Sequence, residues 1–363
     1  MKCKVCSALS QIDPRHCNKA KFLCPHCQHP LFLWKQRKDV SIYKCDYDKC
    51  AHFETNKNKL NRLEKALRRT KSSQFKLRYQ FREYHFTQEQ LTHSAPKKLS
   101  LSSSIFNIRN SLNTLCLALT FHISLGISAR KTAFILINVF GIRASYQTIL
   151  NYTQQAAYYC HNFNLKYKGP VDNTQSGDET YIKIAGKNAY TFFFISPERR
   201  KISAYHIDDS RDTLPATIAM KEAIRTADTN QPATFVTDGN PSYPAGIHFL
   251  NMTRKDHPIA LKKVIGLQNL DSESEKFRPF KQLIERLNRT YKFHIKAANG
   301  FNSKNGAVAL TALFVTYYNF MRPHSTLKYS VPIPIKALHN ISTLQGKWAK
   351  ILKMATDLDL ATA

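Results

Sequence analysis

Three acidic side chains in this sequence have the company needed for metal-assisted chemistry on a phosphate. Asp178 opens an alternating stretch in Gly177-Asp178-Glu179-Thr180-Tyr181, and Asp238 closes a short apolar run in Phe235-Val236-Thr237-Asp238. Glu285 lies in Leu283-Ile284-Glu285-Arg286-Leu287-Asn288, which has helical spacing. Carboxylates brought within a few ångströms repel one another unless divalent cations neutralise them. Hard oxygen ligands with positions open to water and phosphate select Mg²⁺ or Mn²⁺, two ions in the phosphoryl-transfer case. Asn288 and Lys292, three and seven positions after Glu285, share its helical face, where a cation would meet a phosphate beside the metals. Glu273 and Glu275, 35 and 37 positions after Asp238, compete for the third acidic place with Glu285, which lies 47 after it. The helical setting favours Glu285.

A second constellation is made of sulfur. Seven of the nine cysteines precede residue 51. Cys24-Pro-His-Cys27 and Cys45-Asp-Tyr-Asp-Lys-Cys50 are two close pairs separated by 17 residues of strand pattern, which puts four thiolates in tetrahedral reach of one structural zinc. Cys3 and Cys6 upstream would pair with His16 and Cys17 in a second site or compete for the same metal. Cys116 and Cys160 sit in apolar helical stretches and read as buried thiols.

Charge indicates the partner. Lys and Arg number 54 against 25 Asp and Glu, a net +29, so the partner is a polyanion. An anionic membrane would require a spanning segment of about 20 apolar residues or an amphipathic anchor. The most apolar stretches, residues 115–127 and 133–142, are too short, and the first carries His122. No secretory pattern precedes the early cysteines. The expectation is a cytoplasmic protein that faces nucleic acid, not a membrane.

The elements that must position these groups follow the same order. A basic stretch from Asn56 to Arg82, interleaved with Phe75, Tyr79 and Phe81, reads as a helix along a phosphate backbone or as a solvated face. Residues 87–104 read as a linker. Ser128 caps one helix, Gly141 ends it in a left-handed turn, and Ser145 caps a second that carries Tyr146, Gln147, Thr148 and Asn151. That outline is a helix-turn-helix or a plain helical hairpin, with Arg130, Tyr146, Gln147 and Asn151 as its candidate DNA contacts. Beyond residue 176 come three strands with turns at Gly186-Lys187-Asn188 and Ser196-Pro197-Glu198-Arg199, a helix over 211–225, a buried strand over 233–237 and a helix over 277–292. This is an α/β domain of the ribonuclease H-like type, with a mixed sheet and flanking helices. Its first and fourth strands would stand side by side and present Asp178 next to Asp238.

Asp-Glu-Thr-Tyr-Ile-Lys at 178–183, Thr-Asp-Gly at 237–239, Ile-Glu-Arg-Leu-Asn-Arg-Thr-Tyr-Lys at 284–292 and Tyr-Asn-Phe-Met-Arg-Pro-His at 318–324 together resemble DDE transposases of insertion sequences and retroviral-type integrases. The resemblance runs from about residue 176 to about 334. It implies that Asp178, Asp238 and Glu285 are catalytic acids, that Lys292 contacts DNA, and that the front end binds DNA. The longer second spacing departs from the commonest pattern and implies a longer loop between His257 and Glu275. The expected organisation is a zinc ribbon over 1–55, a basic helical and helix-turn-helix region over 56–165, the catalytic domain over 172–345 and a helical tail over 346–363. The expected activity is cleavage of element ends and joining of the 3′ hydroxyl to target DNA, by a homodimer or higher oligomer on DNA. Two rivals share these motifs: a DNA-binding regulator with an inactive core, and a ribonuclease H-like nuclease that cuts but does not join.

Overall fold

The computed structural model describes residues 20–70, 75–97, 105, 110–254, 256–264 and 272–362. Cys3, Cys6, His16, Cys17 and the linker serines at 100 and 102–104 lie outside them. The chain forms two compact units that part between Gln90 and Leu91, whereas the sequence pattern suggested boundaries at 55 and 165.

In the first unit β1 (Phe32–Gln36), β2 (Val40–Lys44) and β3 (Gln80–Tyr84) form an antiparallel sheet in that order. The basic stretch over 56–82 is therefore not one helix. Its residues end α1 (Ala51–Asn58), form α2 (Arg62–Thr70) and then enter β3. A reciprocal cap starts α2: the Asn61 N–H donates to Glu64 Oε2, and the Glu64 N–H donates to Asn61 Oδ1. Gln80-Phe81-Arg82-Glu83-Tyr84 instead pairs along β2, and the strand sets Phe81 opposite Tyr43. The ribbon is thus closed by a strand from well beyond residue 55.

The second unit opens with α3 (Leu112–Leu119), α4 (Ala129–Phe140) and α5 (Tyr146–Lys166). The sheet follows, built from β4 (Thr174–Ile184), β5 (Lys187–Ser196), β6 (Lys201–Asp208), β7 (Thr234–Thr237) and β8 (Ala260–Lys263). Its order is β6-β5-β4-β7-β8, antiparallel through β6, β5 and β4 and parallel from β4 through β8. Between these strands run α6 (Thr213–Ala223) and α7 (Ser242–Asn251), and α8 (Ser272–Lys296), α9 (Lys304–Phe320) and α10 (Leu344–Thr362) complete the chain. This is the ribonuclease H-like mixed sheet expected from the pattern, with α7 and β8 as elements the pattern did not show.

Strand β5 has no polar face because both of its faces are covered. Phe192 and Phe194 pack with Met220, Tyr243 and Ile247 of α6 and α7. Phe193 and Ile195 pack with Ile284 and Tyr291 of α8 and Phe314 of α9. Burial of each large side chain contributes about 1.5–3 kcal/mol, so this double layer holds the acid-bearing strand β4 rigidly beside β5. Gly177 admits the contact: a Cβ there would stand 2.1 Å from the Phe194 ring. Any larger residue would force either β4 or the Phe194 ring out of its place. Helix α10 is not a tail. Trp348, Ile351, Leu352 and Ala355 form a buried stripe at helical spacing, and Trp348 Nε1 donates to Ser124 Oγ at 3.0 Å.

Candidate functional site

Adjacent parallel strands bring the first two acids together. Thr174, Gln175 and Ser176 of β4 pair with Thr234, Phe235 and Val236 of β7, a register that sets position 178 level with position 238. Carboxylate oxygens of Asp178, Glu179 and Asp238 lie within 4.8 Å of one another. Strand alternation turns Asp178 toward α8 and Glu179 toward α7. Asp178 Oδ1 meets Lys281 Nζ at 3.0 Å, and its Oδ2 accepts from Asn288 Nδ2 at 3.1 Å. Burial pushes the Asp178 carboxyl up to about 6; Lys281 pulls it down, while Asp238 and Glu179 push it further up. One ammonium does not offset the combined cost of burial and like charge. Asp238 Oδ1 accepts from the Asn240 N–H at 2.9 Å, which fixes its carboxylate at the strand end.

Glu179 is the acid the sequence analysis did not single out. It accepts from Tyr243 Oη at 2.6 Å and Asn240 Nδ2 at 2.8 Å, with Arg211 3.8 Å away. Burial, then the neighbouring Glu179, pushes the Tyr243 phenol well above its ordinary range, so it remains a donor. These partners commit Glu179 to holding α7 against β4. The signal for it was its place beside Asp178 in the same strand.

Helix α8 begins at Ser272, so Glu275 has the helical setting that the sequence pattern denied it. Lys281, Glu285, Asn288 and Lys292 nevertheless form one stripe, since positions four, seven and eleven apart recur on a helix face. Lys281 and Asn288 both touch Asp178, and Glu285 stands between them on that stripe with its side chain exposed. Glu275 is rotated roughly 120° from Lys281 about the helix axis. Glu285 is not among the three carboxylates within 4.8 Å of one another. Asn288 Oδ1 is buried without a partner beside Asp178. Lys292 Nζ lies 4.3 Å from the ring of Tyr181, which is 58% exposed. Lys281 was missed in the sequence, although carrying the Glu285 stripe one turn back reaches it.

In the first unit Cys24, Cys27, Cys45 and Cys50 converge. Cys24 Sγ lies 3.9 Å from Cys50 Sγ, and Cys27 Sγ lies 3.6 Å from Cys45 Sγ. Four Zn–S bonds of about 2.3 Å in a tetrahedron require sulfurs about 3.8 Å apart, so the spacing fits zinc. The Cys24 knuckle is a tight turn in which the Gln28 N–H donates to the Cys24 carbonyl, and Cys50 caps α1. Cys116 and Cys160 are buried, and burial pushes both thiols up to about 12.

The helical hairpin has the expected caps. Ser128 accepts from the Lys131 N–H, Gly141 ends α4 at φ 66°, and Ser145 accepts from the Thr148 N–H. Arg130, Tyr146, Gln147 and Asn151 are all exposed. The Arg130 guanidinium lies 5.2 Å from the Tyr146 ring, and Gln147 Nε2 donates to Asn151 Oδ1 at 3.0 Å. His324 packs against the Tyr318 ring at 4.7 Å, and burial lowers its imidazole to about 4. Among the described residues no helix is long and apolar enough to cross a membrane.

Residues 174–305 match the family model of a DDE domain, and residues 279–332 match that of an integrase core domain. No curated protein matches the chain. Among solved structures, the simian T-cell lymphotropic virus intasome in complex with PP2A regulatory subunit B56 gamma is 17% identical, with a TM-score of 0.29 over 43% of this chain and 51% of that one. The magnesium complex of the HTLV-2 integrase catalytic core domain is 13% identical, with a TM-score of 0.29 over 45% of this chain and 96% of that one. The Mos1 strand transfer complex is 10% identical, with a TM-score of 0.21 over 71% of this chain and 88% of that one. The chain thus spans about half of the first of these and most of the other two. The region over 174–332 is a DDE-type, integrase-like domain.

Proposed function

We propose that the chain is a DNA transposase that cleaves the ends of an insertion sequence and joins the freed 3′ hydroxyl to target DNA. The observation that carries this reading is the meeting of Asp178 and Asp238 on adjacent parallel strands, against the helix that bears Glu285, inside the segment that matches a DDE domain. The donor set fits Mg²⁺ or Mn²⁺. Its oxygens are hard, the like-charged carboxylates are only partly offset by Lys281, and the buried Asn288 Oδ1 has no partner. Asp178, Asp238 and Glu285 would hold the ions. Two such cations supply activation of the attacking water or hydroxyl and stabilisation of the leaving 3′ oxygen.

The remaining work belongs to the chain itself. Lys281 and Asn288 fix the Asp178 carboxylate, and Asn240 fixes that of Asp238. Lys292, held against Tyr181, sets a positive charge beside the acids for the DNA backbone. Zinc on Cys24, Cys27, Cys45 and Cys50 would hold the ribbon, while the exposed Arg130, Tyr146, Gln147 and Asn151 contact DNA, on which the chain acts as a homodimer or higher oligomer; Asn288, expected as a further DNA contact, is buried against Asp178 and serves to position it. The net charge of +29 suits a substrate whose affinity comes mainly from phosphate contacts.

The test uses DNA carrying the element's ends together with a target duplex and Mg²⁺ or Mn²⁺. Asp178→Asn and Asp238→Asn keep side-chain shape and remove charge, so cleavage falls roughly a thousandfold or more while DNA binding survives. Full activity in both variants would remove the transposase reading. Cutting without joining would point to a nuclease, and binding without cutting to a regulator.

A further inference from the structure

A cavity of about 640 Å³ opens between the first turns of α4 and α5 and the turn that joins α8 to α9, away from the acids. Its volume lies in the range of pockets that enclose a small planar ligand, roughly 300–1,000 Å³, and well below what a duplex needs. Arg130 and Tyr146 stand on its wall, with the guanidinium 5.2 Å from a ring that is 46% exposed. Leu150 adds an apolar side and Gln154 an amide. His122, buried, also lines it. Its Nδ1 lies 2.7 Å from the Ile127 carbonyl, to which it must donate, and this leaves Nε2 as the acceptor of a neutral ring. The capped N-termini of α4, α5 and α9 border the same space, so their positive ends face it. An aromatic face with a cation beside it, an apolar wall, and an amide and an imidazole for edge contacts together match one chemical class, a nucleobase joined to a phosphate.

We propose that this cavity receives one unpaired nucleotide of the bound DNA, with its base stacked on Tyr146, its edge met by Gln154 and His122, and its phosphate beside Arg130. The inference rests on the DNA-handling reading above and adds to it a place where DNA is held single-stranded. Extrusion of a base costs a few kcal/mol, so an already unpaired base is the favoured occupant.

The test uses the full chain without added Mg²⁺ or Mn²⁺, a short single-stranded oligonucleotide carrying one 5-iododeoxyuridine, and the same oligonucleotide in a matched duplex. On irradiation the single strand cross-links to Tyr146, as read by mass spectrometry, and the duplex does so less. Gly306 lines the cavity in the first turn of α9, and a Cβ there would meet only Ser303 Oγ, at 3.4 Å. Gly306→Leu therefore plugs the space without forcing the helix, and it lowers the Tyr146 cross-link about tenfold while duplex affinity stays within about twofold. Tyr146→Ala, at an exposed position, weakens single-strand affinity by about the same factor. Cross-linking elsewhere, no cross-link at all, or an unchanged Tyr146 yield in Gly306→Leu overturns the inference. Metal-dependent cleavage by the same preparation separates the two readings. Cleavage without the cross-link removes this inference alone, whereas the cross-link without cleavage keeps it and removes the transposase.

Discussion

The described residues contain two clusters suited to cations, and they are built on opposite plans. The four cysteines come from one short stretch, two tight turns at the ends of a small sheet, and their sulfurs already stand at tetrahedral spacing. The acids come from β4, the end of β7 and α8, more than a hundred residues apart at the extremes, and only two of the expected three stand together. A closed sulfur site leaves no position for substrate, whereas a carboxylate site with its third member at the exposed rim leaves room for phosphate and water. The first arrangement suits holding a fold, and the second suits chemistry. The cores beneath them differ in the same way. Under the ribbon lie a few side chains such as Leu31 and Phe53, while the acids stand on an extensive core through β5, α8 and α9.

The largest effect expected from this contrast is on the ribbon. With so small a core, its folding free energy would come mainly from a bound zinc, on the order of 10 kcal/mol for such sites. A strong chelator, or Cys45→Ala, therefore unfolds the first unit and leaves the second intact. Circular dichroism melting with zinc analysis checks this, and an unchanged first transition in zinc-free protein would break the contrast. Removal of Mg²⁺ or Mn²⁺ should unfold neither unit.

Next in size is the identity of the third acid. Glu285→Gln lowers metal-dependent cleavage roughly a thousandfold, as Asp178→Asn does, whereas Glu275→Gln stays within about twofold. Glu179→Gln acts through stability, because Tyr243 and Asn240 lose a charged acceptor, and it costs about 1–3 kcal/mol in urea melts. If Glu275→Gln is the inactive variant and Glu285→Gln the active one, the assignment along α8 is wrong.

A smaller effect follows from the Asp178 carboxyl at about 6. A divalent cation binds the ionised carboxylate and must displace its proton, so affinity rises with pH up to about 6 and levels off above. The expected gain is about tenfold for Mg²⁺ between pH 5 and pH 7, read by calorimetry. Affinity that stays flat over this range would mean that Asp178 does not ligate the ion. The sulfur site should show a steeper dependence, since several thiols must lose protons.

The smallest expected change sits at the rim. Lys292→Gln weakens DNA binding a few-fold regardless of sequence and reduces the salt dependence by about one ion. A sequence-dependent loss would instead make Lys292 a base reader.

Much of this was legible in the residues because the signals are local. Two cysteine knuckles, Ser128 and Gly141 at the ends of α4, Ser145 before α5, and the apolar runs of β5 and β7 each declare themselves within a few positions, and each element formed where its pattern lies. The features that only the tertiary structure decided depend on partners far along the chain. Gln80–Tyr84 became a strand because β2 offered an unpaired edge, and the buried stripe of α10 joined the core rather than trailing from it. Lys281 became the partner of Asp178, and Glu179 that of Tyr243 and Asn240, because β4, α7 and α8 meet at one strand end. Local spacing determines which face a side chain takes, but the charge or hydrogen bond waiting on that face comes from another element, and no short window of sequence contains both.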